Sequence, residues 1–227
     1  MKNHKTVAQL RSRQAEDAQP SRAGSLALLG GALCLNFTNT TSGRGTLHCQ
    51  EHLRRFEHLL AWARHAGAID EAAAGALEGL RLAPRANHRI VARAVALREA
   101  LRDVFHAVVV GASPPMGALA VLNRNLAEAM AAAVLEATPQ GFAMRWPQGI
   151  AKPERLLWPV ARSAAELLAG DDLGRLKVCA GNDCGWMFLD TSRSGRRRWC
   201  EMEVCGSRAK MRRYHQRRRR AAGNSLL

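Results

Sequence analysis

The residues best suited to chemistry in this chain are four cysteines near its C-terminus, arranged as two matched pairs: Cys179 with Cys184, and Cys200 with Cys205. Each pair encloses four residues, and the fifteen residues between the pairs include Trp186, Phe188 and Trp199. Two thiolate pairs at this spacing can supply a complete tetrahedral shell for Zn²⁺. Such a shell leaves no open position for water or substrate, so the expected role is one structural ion rather than a catalytic one. The same segment is strongly basic. Residues 175–220 hold fourteen Lys/Arg against four Asp/Glu, whereas the rest of the chain holds twenty against fifteen. Most of the formal net charge of +15 therefore sits with the cysteines. Basic charge concentrated in this way suggests a partner that bears phosphates.

The basic residues divide into two groups. Arg193, Arg196, Arg197 and Arg198 precede the second cysteine pair, and Arg208, Lys210, Arg212 and Arg213 follow it. A helix is expected from Cys205 to about Arg220. On it Arg208, Arg212, His215 and Arg219 recur at i, i+4, i+7 and i+11, which places them on one face. These side chains are the candidates for nucleic-acid contact, with duplex DNA as the expected partner and phosphates as the primary target. Single-stranded RNA is the alternative, since such readers stack bases on exposed aromatics and Trp186, Phe188, Trp199 and Tyr214 are at hand.

Around the cysteines, Cys179 to Gly185 reads as a tight knuckle and Trp186 to Leu189 as a strand leaving it. Asp190 to Gly195 reads as a hairpin turn and Arg196 to Trp199 as the return strand. Knuckle, hairpin and helix in that order describe a treble-clef-like finger.

The preceding sequence is expected to fold separately as a mostly helical α+β domain with a small sheet. Residues 1–25 read as a disordered tail, 26–170 as the domain, 171–174 as a linker, 175–220 as the finger and 221–227 as a C-terminal tail. Leu33, Leu35 and Phe37 alternate with Cys34, Asn36 and Thr38, which suggests a strand over residues 33–40. A helix carrying Leu53, Phe56, Leu60 and Ala63 is closed by Gly67, and Asp70 caps the next. Pro84 opens the longest helix and Gly111 ends it. Another runs from Ser113 and Pro114 past Val134 to Thr138. Phe142, Met144 and Trp146 alternate as a second strand, expected to pair with the first, and Pro153 to Gly170 forms a further helix.

No apolar run approaches the roughly 20 residues of a membrane span, so no membrane partner is expected. The N-terminus lacks the apolar stretch of a signal peptide, which points to the reducing cytoplasm. There, paired cysteines serve metals more often than disulfides.

The C-terminal pattern resembles the CGNR-type zinc finger. It runs from Cys179-x₄-Cys184 through Phe188-Leu189-Asp190-x-Ser192-Arg193 to Arg197-Arg198-Trp199-Cys200-x-Met202-x₂-Cys205-Gly206-x-Arg208-x-Lys210. Phe37-Thr38-Asn39-Thr40 and Leu59-Leu60-Ala61-Trp62-Ala63 resemble the ABATE domain that accompanies this finger. The resemblance implies a bacterial transcription regulator, described as stress-induced, with a DNA-binding finger that would associate with the nucleoid when bound. Two departures stand out: Ser207 replaces the family Asn of Cys-Gly-Asn-Arg, and Asn36 stands where Asp is usual. Ser207 can still cap a helix.

Other candidates are weaker. Asn36, Asn39 and Thr40 could hydrogen-bond a small-molecule signal, although such residues more often hold a turn. The N-terminal domain is expected to sense that signal or to form a homodimer. His48, Cys49 and His52 lack a complete ligand set for a second metal, and Cys34 reads as a small buried side chain. No phosphate loop, nucleophile elbow or paired catalytic carboxylates occur, so an enzyme is not expected, and one with an unrecognised site in the N-terminal domain is the remoter alternative.

Overall fold

The computed structural model describes residues 21–44, 46–47, 49–147 and 149–223. Helices dominate. They are α1 (Leu33–Thr38), α2 (Phe56–His65), α3 (Glu71–Glu78), α4 (Pro84–Val110), α5 (Met116–Ala131), α6 (Trp158–Ala169) and α7 (Ser207–Gly223). Among the described residues three antiparallel two-stranded sheets accompany them: β1 (Thr41–Ser42) with β2 (Gln50–Glu51), β3 (Val134–Thr138) with β4 (Gly141–Arg145), and β5 (Leu176–Val178) with β6 (Met187–Leu189). Among the described residues, no helix is long and apolar enough to cross a membrane.

Local signals set several helix boundaries. The Asp70 carboxylate accepts from the Ala73 N–H at 2.8 Å and caps α3. Pro84 opens α4, where a missing N–H costs nothing, and Gly111 closes it in the left-handed conformation. Leu59, Trp62, Leu97, Leu101, Phe105, Leu156, Leu157 and Val160 form one core between α2, α4 and α6. Phe37 from α1 packs on Trp62, with ring centroids 4.9 Å apart.

Three expectations need correction. Residues 33–38 are a helix rather than a strand. Cys34, Leu35, Phe37 and Thr38 are buried and Leu33 and Asn36 half-buried, a spacing of three that suits a helix and departs from the alternation of a strand. So short a helix is held by its surroundings; Thr38 Oγ1 and Thr40 Oγ1 donate to the carbonyls of Leu35 and Phe37. The helix expected to reach Thr138 ends at Ala131, and Val134–Thr138 turns back as a strand. That strand is the partner of Gly141–Arg145, which therefore does not pair with residues 33–40.

At the N-terminus, residues 1–20 lie outside the described residues. Ser21 donates to the His52 carbonyl at 2.8 Å, and Ala23 and Leu26 are buried in the core.

The C-terminal segment is built into this core. Leu176, Met187 and Leu189 from β5 and β6 join the same apolar cluster as α1, α2 and α4. Asn39 grips β6 with both ends of its amide: Oδ1 accepts from the Met187 N–H and Nδ2 donates to the Met187 carbonyl, each at 2.9 Å. The Leu189 N–H donates to the Gly30 carbonyl at 2.9 Å. A Cβ on Gly30 would stand 2.8 Å from both the Asn36 nitrogen and the Leu35 Cβ, so only glycine allows that approach. Trp186 Nε1 donates to the Thr41 carbonyl at 3.0 Å.

Asn39 is only 2 % exposed. Replacing it by alanine strands a buried N–H and a buried carbonyl, each worth about 1–3 kcal/mol. Asn39→Ala should lower stability by about 2–4 kcal/mol in urea unfolding followed by tryptophan fluorescence. A loss below about 0.5 kcal/mol would show that the clamp contributes little.

Candidate metal centre and nucleic-acid interface

Cys179 follows β5 directly, Cys184 closes the knuckle, Cys200 ends the 190–200 loop, and Cys205 lies in a π-helical turn (Met202–Gly206) that leads into α7. The four Sγ atoms lie within 4.8 Å of one another. Cys184 Sγ is 3.6 Å from Cys200 Sγ, which is 3.7 Å from Cys205 Sγ. All four cysteines are free thiols. A tetrahedron with metal–sulfur bonds of about 2.3 Å has edges of about 3.8 Å. The cluster thus has the size of a Cys₄ metal shell and is too open for a disulfide.

The surrounding backbone suits thiolates. The N–H groups of Gly181 and Cys200 donate to Cys179 Sγ at 3.5 and 3.3 Å. A Cβ on Gly181 would lie 3.2 Å from the Cys184 Cβ and 3.4 Å from Cys205 Sγ, so glycine lets the knuckle close over the sulfurs. The thiols share protons. Hydrogen bonds from Cys184 and Cys200 push Cys179 down, and the same bonds to Cys179 push Cys184 and Cys200 up. Burial raises Cys205. Binding a divalent cation requires those protons to leave, so its retention weakens as pH falls.

Asp190 organises the loop that carries Cys200. Its side chain is 1 % exposed. One oxygen accepts from the Ser192 N–H at 3.0 Å and the Ser192 hydroxyl at 2.5 Å. The other accepts from Lys177 Nζ at 2.6 Å and the Arg197 N–H at 2.8 Å. Lys177, foremost, and these donors hold the carboxyl far below the usual carboxylate range. The group is therefore ionised above the ordinary carboxylate pKa, and its support fades only in strong acid. The Asp-x-Ser turn pattern signals the hydrogen bonds to Ser192. Nothing local signals the bond to Lys177.

The expected return strand at Arg196–Trp199 is absent. Those residues are irregular, and β6 pairs instead with β5, which precedes the knuckle. The Ala180 N–H donates to the Arg198 carbonyl at 2.8 Å, so the loop still braces the knuckle. Ser207 does not cap α7 with its hydroxyl; that group donates to the Met202 carbonyl at 3.4 Å.

The eight basic candidates differ in setting. Arg193, Arg196, Arg198, Arg208, Lys210 and Arg213 are exposed. Arg212 is half-buried and lies 3.8 Å from Asp183. Arg197 is turned inward: its guanidinium donates to the carbonyls of Trp199 (2.9 Å) and Cys200 and stacks 4.4 Å from the centre of the buried Phe188 ring. From Met211 to Arg219 every residue of α7 except Arg212 is exposed. That helix contains eight Lys/Arg and no acidic residue.

Asn36, Asn39 and Thr40 lie near the seam with the finger, and each is engaged with backbone groups. Asn36 Oδ1 accepts from the Gly30 N–H at 2.8 Å, Asn39 clamps Met187, and Thr40 Oγ1 donates to Phe37 and accepts from Arg98 at 3.3 Å. Arg98, buried among the helices, also forms a two-pronged pair with Glu51 at 2.6 Å. His52 is buried, with Nε2 3.1 Å from Ser42 Oγ; His48 lies outside the described residues. Burial, above all, pushes the Cys34 thiol up to about 11.

Fold and site together define a helical domain that carries a four-cysteine finger and an arginine-rich helix. The family model described as "Putative stress-induced transcription regulator" (ABATE) matches residues 31–171, and the CGNR zinc finger matches residues 175–218. The chain belongs to the ABATE family and bears a CGNR zinc finger. These are regulatory and zinc-finger families, not enzyme families. No curated relative matches the chain.

Because β5 and β6 share the main core, disruption of the four-cysteine cluster should be felt by the whole molecule. Cys200→Ser should lower a single cooperative melting transition by about 10 °C or more, given about 2–4 °C per kcal/mol for chains of this size. Calorimetry showing an unchanged main transition beside a separate small one would mean that the finger folds independently.

Proposed function

We propose that this protein is a DNA-binding transcription regulator in which one structural Zn²⁺, held by Cys179, Cys184, Cys200 and Cys205, fixes the base of α7. The observation that carries this reading is α7 itself. An exposed helix with eight cations and no anion repels itself, and isolated helices of this length are marginal in water. Phosphates relieve the repulsion, and neutralising them releases the counterions that drive such binding. Arg208, Lys210 and Arg213, with Arg212 at the edge, would meet the duplex backbone. Arg193, Arg196 and Arg198 add a second cationic surface on the 190–200 loop. Arg197 would act by holding the loop that carries Cys200.

The family's regulatory character supports this reading, and its setting would be the cytoplasm, where the chromosome is reached. Duplex DNA is favoured over single-stranded RNA by the state of the aromatics. Phe188 is fully buried under Arg197, and Trp186 is tied to the Thr41 carbonyl. Trp199 is half-buried with Arg198 5.3 Å from its ring, which leaves Tyr214, 52 % exposed, as the most open of the four. Residues 171–174 then separate a carrying unit from a contacting unit in function, while β5 and β6 join them in packing.

Affinity for duplex DNA should fall steeply with salt, with a log–log slope near −0.9 per phosphate neutralised. Arg213→Ala should reduce that slope by about one and leave thermal stability unchanged. Fluorescence anisotropy against salt tests both. A flat salt response, or tighter binding of single-stranded RNA than of duplex DNA, would count against the proposal. Circular dichroism should show α7 gaining helix on duplex addition.

A further inference from the structure

We propose that the cavity under the β3–β4 hairpin is a binding site for a small organic carboxylate with an aromatic or branched apolar body. The cavity has a volume of about 570 Å³, within the usual range for small-molecule sites. Its apolar wall includes Ile69, Met144 and Trp146. Trp146 is held in place: its Nε1 donates to the Ala129 carbonyl at 2.8 Å, and its ring lies 6.2 Å from that of Trp158. The wall is therefore formed before any ligand arrives.

Arg155 decides the ligand's chemistry. It lines the cavity and is only 6 % exposed. Its Nη1 donates to the Pro147 carbonyl at 2.8 Å, which anchors the side chain. Among the described residues no carboxylate comes within ion-pair distance of it. The other charged groups of the lining are already engaged. Glu136 faces Arg145 at 3.8 Å, and Asp70 caps α3 through Ala73. A guanidinium buried without a carboxylate is costly, and its remaining N–H groups form a fork that matches a carboxylate two-to-two. Arg98 shows the contrast: equally buried, it has Glu51 and Glu99 as partners.

Occupancy would also bear on the rest of the fold. The hairpin supplies Glu136, Met144 and Arg145 to one wall, and α6 supplies Pro159. Ser163, further along α6, accepts from the Cys34 N–H of α1 at 3.2 Å, and α1 ends beside the Asn39 clamp. The proposal rests on the cavity alone and stands apart from the reading of the finger.

Isothermal titration of the full chain with benzoate, salicylate, indole-3-acetate and 4-methyl-2-oxopentanoate tests it, with indole-3-acetamide as the uncharged counterpart. At least one acid should bind with one-to-one stoichiometry, and indole-3-acetate at least tenfold more tightly than its amide. Arg155→Gln should weaken the acid at least tenfold and leave the amide unchanged. Arg155→Lys, which keeps the charge but loses the fork, should fall between. The proposal is overturned if no acid binds, if acid and amide bind equally, or if folded Arg155→Lys and Arg155→Gln proteins bind the acid as the unaltered chain does.

Discussion

Four sulfur atoms from the knuckle, the 190–200 loop and the base of α7 must share one small volume. The rest of the C-terminal structure follows from that convergence. Around the sulfurs the finger has little apolar content of its own: beside the cysteines this small cluster buries Phe188, with Leu29, Trp186 and Trp199 packed alongside. Its arginines also repel one another. Four thiolates around a divalent cation leave an excess of negative charge, which the N–H groups of Gly181 and Cys200 and the surrounding cations offset. The same arrangement that closes the loops thus permits so many guanidinium groups to stand close together.

The finger is also joined firmly to the helical domain. The Thr41 carbonyl, the Asn39 amide and the Gly30 carbonyl meet Trp186, Met187 and Leu189 as the chain leaves the knuckle, and Leu176, Met187 and Leu189 enter the main core. A body of helices therefore orients α7, in contrast to a finger on a flexible tether. Restraint at the base and exposure along the shaft are what a helix needs to present charge to a polyanion without collapsing onto its own domain.

Much of this was legible in the sequence where the cause is local. The convergence of Cys179, Cys184, Cys200 and Cys205 follows from residue type and spacing. Pro84, Gly111 and Asp70 mark helix ends because each acts within one turn. Residues 33–38 misled because so short a helix spans under two turns, and its apolar and polar types alternate although burial does not follow them. The strand at Val134–Thr138 was hidden by an apolar pattern that ran on from α5 past its true end. The pairing of β5 with β6 escaped because three-residue strands carry almost no pattern. Asn39 shows the limit most clearly: it finds its partner 148 positions away.

The central claim is that a single metal ion with an all-sulfur shell sets the geometry of the basic helix. X-ray absorption at the zinc edge on protein purified under reducing conditions, together with metal-to-protein stoichiometry, tests it most directly. The account predicts one zinc per chain with four sulfur neighbours at about 2.3 Å. A substoichiometric metal content, or a shell containing nitrogen or oxygen ligands, would contradict it.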